Sequence, residues 1–363
     1  MGAFDRRISR PVRVGKAVIG GGSPILVQSM TNTDTHDIDA TYSQVMRLAE
    51  AGCDIVRVTA PDIESVKTFS ALISRGATVP LVADVHFNHE IAIALAESGV
   101  SKIRINPGNI GSEENVRRVA EACRRNSVPI RIGVNSGSLE KEILARYGSP
   151  TPEALVESAL FHASLLEKYD FHDIVISVKA STVTDMIAAN RILAERTDYP
   201  LHLGVTEAGG GTSAIVKSSI GIGTLLAEGI GDTVRVSLTD DPCEEVRAAK
   251  DILKAVGLSQ TPGMDIVACP TCGRTKIDLI SLHREFTERS RREGLDKINI
   301  KVALMGCVVN GPGEAREADL GIAGGQGEGL IFKKGKILKK VNEDRLLDEL
   351  IDEIKKEYID KVI

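Results

Sequence analysis

A repeated alternation restricts this chain more than any other feature. From Pro24 to about Gly257, short runs rich in β-branched residues give way to polar loops. Amphipathic stretches follow, each ending near a Gly or Pro. The runs cover 25–30, 54–59, 81–87, 102–106, 130–135, 173–181, 201–207 and 233–239. The helical stretches between and after them cover 42–51, 63–74, 90–98, 114–125, 152–169, 184–196, 213–227 and 244–256. Strands alternating with helices imply parallel βαβ units. Eight such units predict an α/β fold, a closed (β/α)8 TIM barrel. An open doubly wound sheet would carry a Gly-rich fingerprint just after an early strand. Gly20-Gly21-Gly22 precedes the first run instead and reads as a turn.

Successive strand residues face opposite sides, so the late part of each run can be sorted into faces. Arg57 and Thr59 share a face, as do Asp84, His86 and Asn88. So do Arg104 and Asn106, Arg131 and Asn135, Ser177 and Lys179, His202 and Thr206, and Arg235 and Ser237, with Gln28 the matching residue of the first run. A barrel converges these groups on its C-terminal mouth, where barrel enzymes place their active sites. Arg57, Arg104, Arg131, Lys179 and Arg235 are cations, while Asp84 and Glu207 are the only acids nearby. Burying that excess without an anion costs several kcal/mol per ion. Arginine suits phosphate oxygens bidentately, so the crown predicts a phosphate or diphosphate ligand. His86 and His202 lie on the polar face, either touching substrate or satisfied by neighbours; His36, His89, His162, His172 and His283 read as loop or helix-surface residues.

After Gly257 the pattern changes. The expected division is a barrel over 1–257, a linker over 258–264 and a second domain over 265–363. Cys269-Pro270-Thr271-Cys272 precedes a helical run over 277–293 and a strand over 301–305. Cys307 follows, then a Gly-rich segment, a hairpin over 330–341 turning at Lys334-Gly335, and a charged amphipathic helix from Glu343. This predicts a small α+β domain. A lone C-x-x-C suits a redox dithiol, half a zinc site or part of a cluster site. A structural zinc ion wants four Cys or His ligands, and the domain offers three cysteines with His283 inside a helix. Three thiolates on Gly/Pro-rich loops favour a 4Fe-4S cluster over zinc. Cys53 and Cys123 read as core, and Cys243 as an inert residue at a helix start.

Composition narrows the class. The chain has 363 residues and a net charge of −5, whereas a nucleic-acid binder is more often basic. Asp5–Arg10 is charged, no apolar h-region follows it, and no run approaches a membrane span. The expectation is a cytoplasmic protein with reduced thiols, binding neither nucleic acid nor membrane.

Several long segments together resemble the hydroxymethylbutenyl diphosphate synthases, iron–sulfur enzymes of the methylerythritol phosphate route to isoprenoids. The segments are VQSMTNT at 27–33, RVT at 57–59, ADVHF at 83–87, RINPGN at 104–109 and RIGVNSGSL at 131–139. They continue with HLGVTEAG at 202–209, RVSLT at 235–239, CPTCGR at 269–274 and GCVVNGPGE at 306–314. The resemblance spans nearly the whole chain, and the lack of a large insert between the domains is similar to the short bacterial type. It implies reductive ring opening and dehydroxylation of 2-C-methyl-D-erythritol 2,4-cyclodiphosphate, giving 4-hydroxy-3-methylbut-2-enyl diphosphate by two one-electron transfers. It implies that Cys269, Cys272 and Cys307 hold the 4Fe-4S cluster with Glu314 as an unusual fourth ligand, that Glu207 works as acid/base, and that Asn310 lies near the cluster. It makes Arg57, Arg104, Arg131, Lys179 and Arg235 the diphosphate grip, with Asn135, Thr206 and Ser237 close by. It also implies flavodoxin or ferredoxin as electron donor, and a head-to-tail homodimer.

Overall fold

The structure, a computed structural model, describes residues 5–259, 263–308 and 315–359. These fall into two compact units that divide after Ser259. Asn310 and Glu314 lie outside the described residues.

The first unit opens with a hairpin, β1 (Val12–Val14) and β2 (Ala17–Ile19). Eight parallel strands follow: β3 (Leu26–Met30), β4 (Ile55–Ala60), β5 (Leu81–Val85), β6 (Lys102–Ile105), β7 (Ile130–Asn135), β8 (Ile174–Lys179), β9 (His202–Leu203) and β10 (Thr233–Val234). Their spatial order is β8-β7-β6-β5-β4-β3-β10-β9. A parallel bridge from Ile176 to Leu201 joins the two ends and closes the barrel. The last two strands are shorter than their runs of β-branched residues, since ladder pairing there covers only two residues each.

The helices are α1 (Ile38–Glu50), α2 (Ser65–Ser74), α3 (His89–Glu97), α4 (Glu113–Arg125), α5 (Lys141–Tyr147), α6 (Pro152–Glu167), α7 (Val183–Arg196), α8 (Gly211–Ala227) and α9 (Pro242–Ala255). Side-chain caps fix several starts. Asp37, Asn88, Ser112, Thr151, Thr182 and Asp241 each accept a first-turn backbone N–H, with Pro152 and Pro242 just inside their helices. The short α5 and the β1–β2 hairpin have no counterpart in the eight-unit pattern. The hairpin has a clear purpose. Val12, Val14 and Ile19 pack with Ile55, Val82 and Val175, at the first or second positions of β4, β5 and β8, so this apolar cluster plugs the N-terminal end of the barrel. The interior is thus apolar at its floor and polar above it.

The second unit is a five-stranded sheet ordered β11-β12-β13-β14-β15. Its strands are β11 (Asp265–Ala268), β12 (Lys301–Met305), β13 (Leu320–Gly324), β14 (Glu328–Lys333) and β15 (Lys336–Asn342). The first three are parallel and the last two antiparallel. Two helices, α10 (Leu279–Arg292) and α11 (Leu346–Tyr358), supply Leu279, Phe286, Leu350 and Ile354 to an apolar core with Val302, Leu304 and Ile322. The β14–β15 turn falls at Lys334-Gly335 as expected, both at positive φ (48° and 74°). Among the described residues no helix is long and apolar enough to cross a membrane.

Candidate active site

At the mouth of the barrel lies a cavity of about 220 Å³. It is lined by Arg57, Asp84, His86, Arg104, Arg131, Gly133, Asn135, Ser177, Lys179, Thr206, Arg235 and Ser237. Most of the late-strand polar residues therefore converge, while Gln28, Thr59, Asn88, Asn106 and His202 do not line the cavity. His202 is fully buried below the cavity, where its Nδ1 pairs with Thr233 Oγ1 at 2.7 Å. Glu207 is exposed on the loop between β9 and α8 with φ +54°, and it does not line the cavity.

Two acids meet these cations. Asp84 lies 3.1 Å from Arg104 Nη1 and 3.5 Å from Arg57 Nε. Burial opposes its ionisation, yet Arg57, His86 and Arg104 together hold its carboxyl well below the usual carboxylate range. The second acid is Glu245, which sequence reasoning missed because it comes from the first turns of α9 rather than from a strand. Its carboxylate accepts from Ser29 Oγ at 2.8 Å and Leu238 N at 3.1 Å, and pairs with Arg235 at 3.2 Å.

Lys102 is a further cation that the late-strand rule passed over. It begins β6, two residues before Arg104, and is fully buried. No carboxylate among the described residues lies within 4 Å of Lys102, Arg131 or Lys179. Lys102 Nζ, Arg131 Nε and His202 Nε2 are buried without hydrogen-bond partners. Burial, reinforced by the neighbouring cations, pushes Lys102, Arg131 and Lys179 well below their ordinary values and draws Arg57 down to about 10. Such a site is built for an anion: negative charge delivered to the cavity relieves repulsion that the protein's own acids leave uncancelled.

Gly133 lines the cavity but is absent from the sequence reading. Arg104 crosses it, donating from Nη2 to Gly133 O at 3.3 Å. A Cβ there would stand 2.6 Å from Arg104 Nε. A glycine inside a strand signals this sort of close approach. His162 also departs from expectation. Expected on a helix surface, it is fully buried in α6, accepting the Gly108 N–H on Nδ1 at 3.1 Å and pairing with Glu140 through Nε2.

In the second unit, Cys269 and Cys307 follow the C-terminal ends of the adjacent parallel strands β11 and β12. Cys272 is exposed, and the other two are partly buried. Among the described residues no group of three Cys, His, Asp or Glu is gathered closely enough to grip a metal ion. The donor chemistry nonetheless suits thiolate ligation. Gly306 N–H donates to Cys269 Sγ at 3.3 Å. The backbone N–H and the side chain of Arg274 hold the Cys272 thiol below its ordinary value. Hydrogen bonds to sulfur of this kind tune iron–sulfur clusters. Cys53, Cys123 and Cys243 are buried, and burial raises all three thiols, Cys53 and Cys123 to about 12.

Comparison with known proteins bears on both units. Residues 9–250 match the GcpE TIM-barrel domain, and residues 265–356 match the GcpE protein C-terminal domain. A relative from Clostridium perfringens is 57% identical over 96% of this chain and 98% of its own, and is called 4-hydroxy-3-methylbut-2-en-1-yl diphosphate synthase (flavodoxin). A relative of the same name from Caldanaerobacter subterraneus is 58% identical over 97% of this chain and 98% of its own. Among solved structures, dihydropteroate synthase from Stenotrophomonas maltophilia superposes with a TM-score of 0.51 at 15% identity. It covers 69% of this chain and 98% of that one, a likeness of barrel fold alone. The chain belongs to the GcpE family.

Proposed function

We propose that this chain is a 4-hydroxy-3-methylbut-2-en-1-yl diphosphate synthase with flavodoxin as its electron donor. The reaction takes 2-C-methyl-D-erythritol 2,4-cyclodiphosphate, two electrons and two protons to 4-hydroxy-3-methylbut-2-enyl diphosphate and water. The observation that carries this reading is the acid-poor cavity: Arg131 and Lys179 line it without carboxylate partners, in a chain more than half identical to enzymes of that name.

Arg57, Arg104, Arg131, Lys179 and Arg235 hold the diphosphate, and Asn135, Ser177, Thr206 and Ser237 supply hydroxyl and amide groups around it. Asp84 keeps Arg57 and Arg104 in position, so those guanidiniums are oriented before the anion arrives. Ring opening leaves a hydroxyl to be lost, and a carboxylic acid at Glu207 delivers the proton that releases it as water. Cys269, Cys272 and Cys307 would hold a 4Fe-4S cluster, with Glu314 as the proposed fourth ligand and Asn310 as a further residue serving it. When bound, that cluster supplies electrons singly, which no side chain here can do. The enzyme works in the cytoplasm as a head-to-tail homodimer.

Anaerobic purification with iron and sulfide counts tests the reading, together with a reduced-state EPR spectrum taken with and without the cyclic diphosphate. The expected result is inorganic sulfide matching iron and a signal that changes with substrate. Zinc without sulfide overturns it.

A further inference from the structure

If electrons enter through the cysteine loop, a protein donor must bring its own redox centre beside Cys269 and Cys272. One surface there has the right character. A cavity of about 250 Å³ opens between Ala268–Pro270 and the first turns of α10, bounded by Leu279, Ile280 and Arg284. Its exposed lining is mainly apolar, and Ile280 is 57% exposed. Ile280 offers a small apolar contact centre beside the cysteine loop.

Basic side chains predominate around it, with Asp278 at the start of α10 and Glu288, one turn after Arg284, as the acids on that side. Ile280, Arg284 and Arg291 recur at helical spacing along one side of α10. Arg274 and Lys276 extend the same charge along the loop after Cys272, and all four cations are exposed. None has an acid within ion-pair distance among the described residues. Elsewhere in the unit, Arg289, Lys333, Lys339, Lys340, Arg345 and Lys355 each have one. The nearby Asp278 is committed to capping, accepting from Ser281 N at 3.1 Å and Ser281 Oγ at 2.7 Å. Arg284, Arg291 and Lys276 without ion-pair partners among the described residues, and Arg274 turned to the Cys272 thiol, make a predominantly basic rim around an apolar centre, the complement of an acidic partner.

We propose that this face of α10, centred on Ile280 and Arg284, docks an acidic flavoprotein electron donor. The proposal rests on the synthase reading and deepens it by naming the donor's seat. Apolar contact at Ile280 fixes the docked pose, and the cations steer the approach, so association weakens as salt screens them.

The test uses the cluster-loaded protein and purified flavodoxin. Binding is followed by calorimetry at low and high salt, and turnover is driven either by reduced flavodoxin or by reduced methyl viologen. Arg284→Glu with Arg291→Glu should raise the flavodoxin Kd by about ten-fold or more at low salt and flatten its salt dependence. Ile280→Ser should raise it at every salt concentration. Turnover with methyl viologen should stay within about two-fold of the parent, since surface changes of this kind leave the rest of the fold intact. Arg292→Glu lies on another side of α10 and should leave the Kd unchanged. Unaltered flavodoxin binding in the double variant overturns the docking face, as does equal weakening by Arg292→Glu. A parent protein inactive with both donors instead overturns the synthase reading itself.

Discussion

Replacing Gly133 by alanine adds one methyl group and removes no charge, yet it should cripple anion binding. The new Cβ would meet Arg104 at 2.6 Å from Nε, 2.8 Å from Nη2 and 3.1 Å from Cζ. Ordinary contact requires the guanidinium to retreat by most of an ångström. Its present place is fixed by Asp84 Oδ1 at 3.1 Å and Gly133 O at 3.3 Å. Retreat breaks at least one charge-assisted hydrogen bond, worth about 1.5–3 kcal/mol. It also pushes the guanidinium into a cavity of only about 220 Å³. Affinity for inorganic pyrophosphate should fall by roughly 10- to 100-fold, at about 1.4 kcal/mol per factor of ten. Folding should suffer little. The obstructing atoms are the far end of a flexible side chain, and alanine recovers about 0.5–1 kcal/mol of chain entropy that glycine loses. Calorimetric titration with pyrophosphate and a thermal melt on the same sample separate the two effects. Gly223→Ala is the control: it lies in α8 and meets only Ile252 Cγ2 at 4.0 Å. Wild-type affinity in Gly133→Ala, or a loss of affinity matched by a collapse in Tm, would refute the reasoning.

Three further outcomes follow from the same geometry. Glu245→Gln removes the ionic partner of partly buried Arg235 and should cost about 1–3 kcal/mol in denaturant unfolding. Pyrophosphate should restore part of that loss by supplying negative charge, and an identical deficit with and without it contradicts this account. His202 is held well below its ordinary value by burial and by Arg131, Lys179 and Lys102. The unfolded chain therefore takes up a proton at this residue before the folded protein does, so stability falls as pH drops through about 6.5. His202→Gln should flatten that slope in unfolding curves between about pH 7 and 5, and an unchanged slope removes His202 as its cause. Cys272→Ser should lose most of the iron and sulfide of anaerobically purified protein. Cys123→Ser, on the buried face of α4, should lower stability and leave the metal content alone; equal iron in both variants argues against Cys272 as a ligand.

What the sequence displayed and what it hid follow one physical division. Strand side chains obey a period of two, so the late positions of each β-branched run could be sorted without coordinates, and all but His202 of the sorted substrate residues line the cavity. His202 failed because β9 is only two residues long and its first residue points into the barrel well below the mouth. Lys102 was hidden by the opposite error: its strand opens with a cation where β3, β4, β5, β7 and β8 open with apolar residues. Glu245 and His162 were illegible for a different reason. Both reach the loops and strands of the mouth from helices, α9 and α6, and helix periodicity says which face is buried without saying which buried residue is polar and paired. The same division explains the missed hairpin. Its three-residue strands are too short to show a period, although Val12, Val14 and Ile19 decide that the barrel floor is dry.

That dry floor bears on the chemistry. An apolar plug below and an acid-poor polar layer above leave the buried cations one direction in which to find a counter-charge, upward into the cavity. Water alone at the mouth would screen Arg131 and Lys179 incompletely, since both are more than nine-tenths buried. A multiply charged anion should therefore stabilise the barrel unit well beyond what a monovalent one achieves at the same occupancy. Pyrophosphate at saturating concentration should raise Tm by several degrees more than saturating chloride or acetate. Equal shifts from all three anions would mean that the cations are solvated after all, and the diphosphate assignment would lose its electrostatic basis.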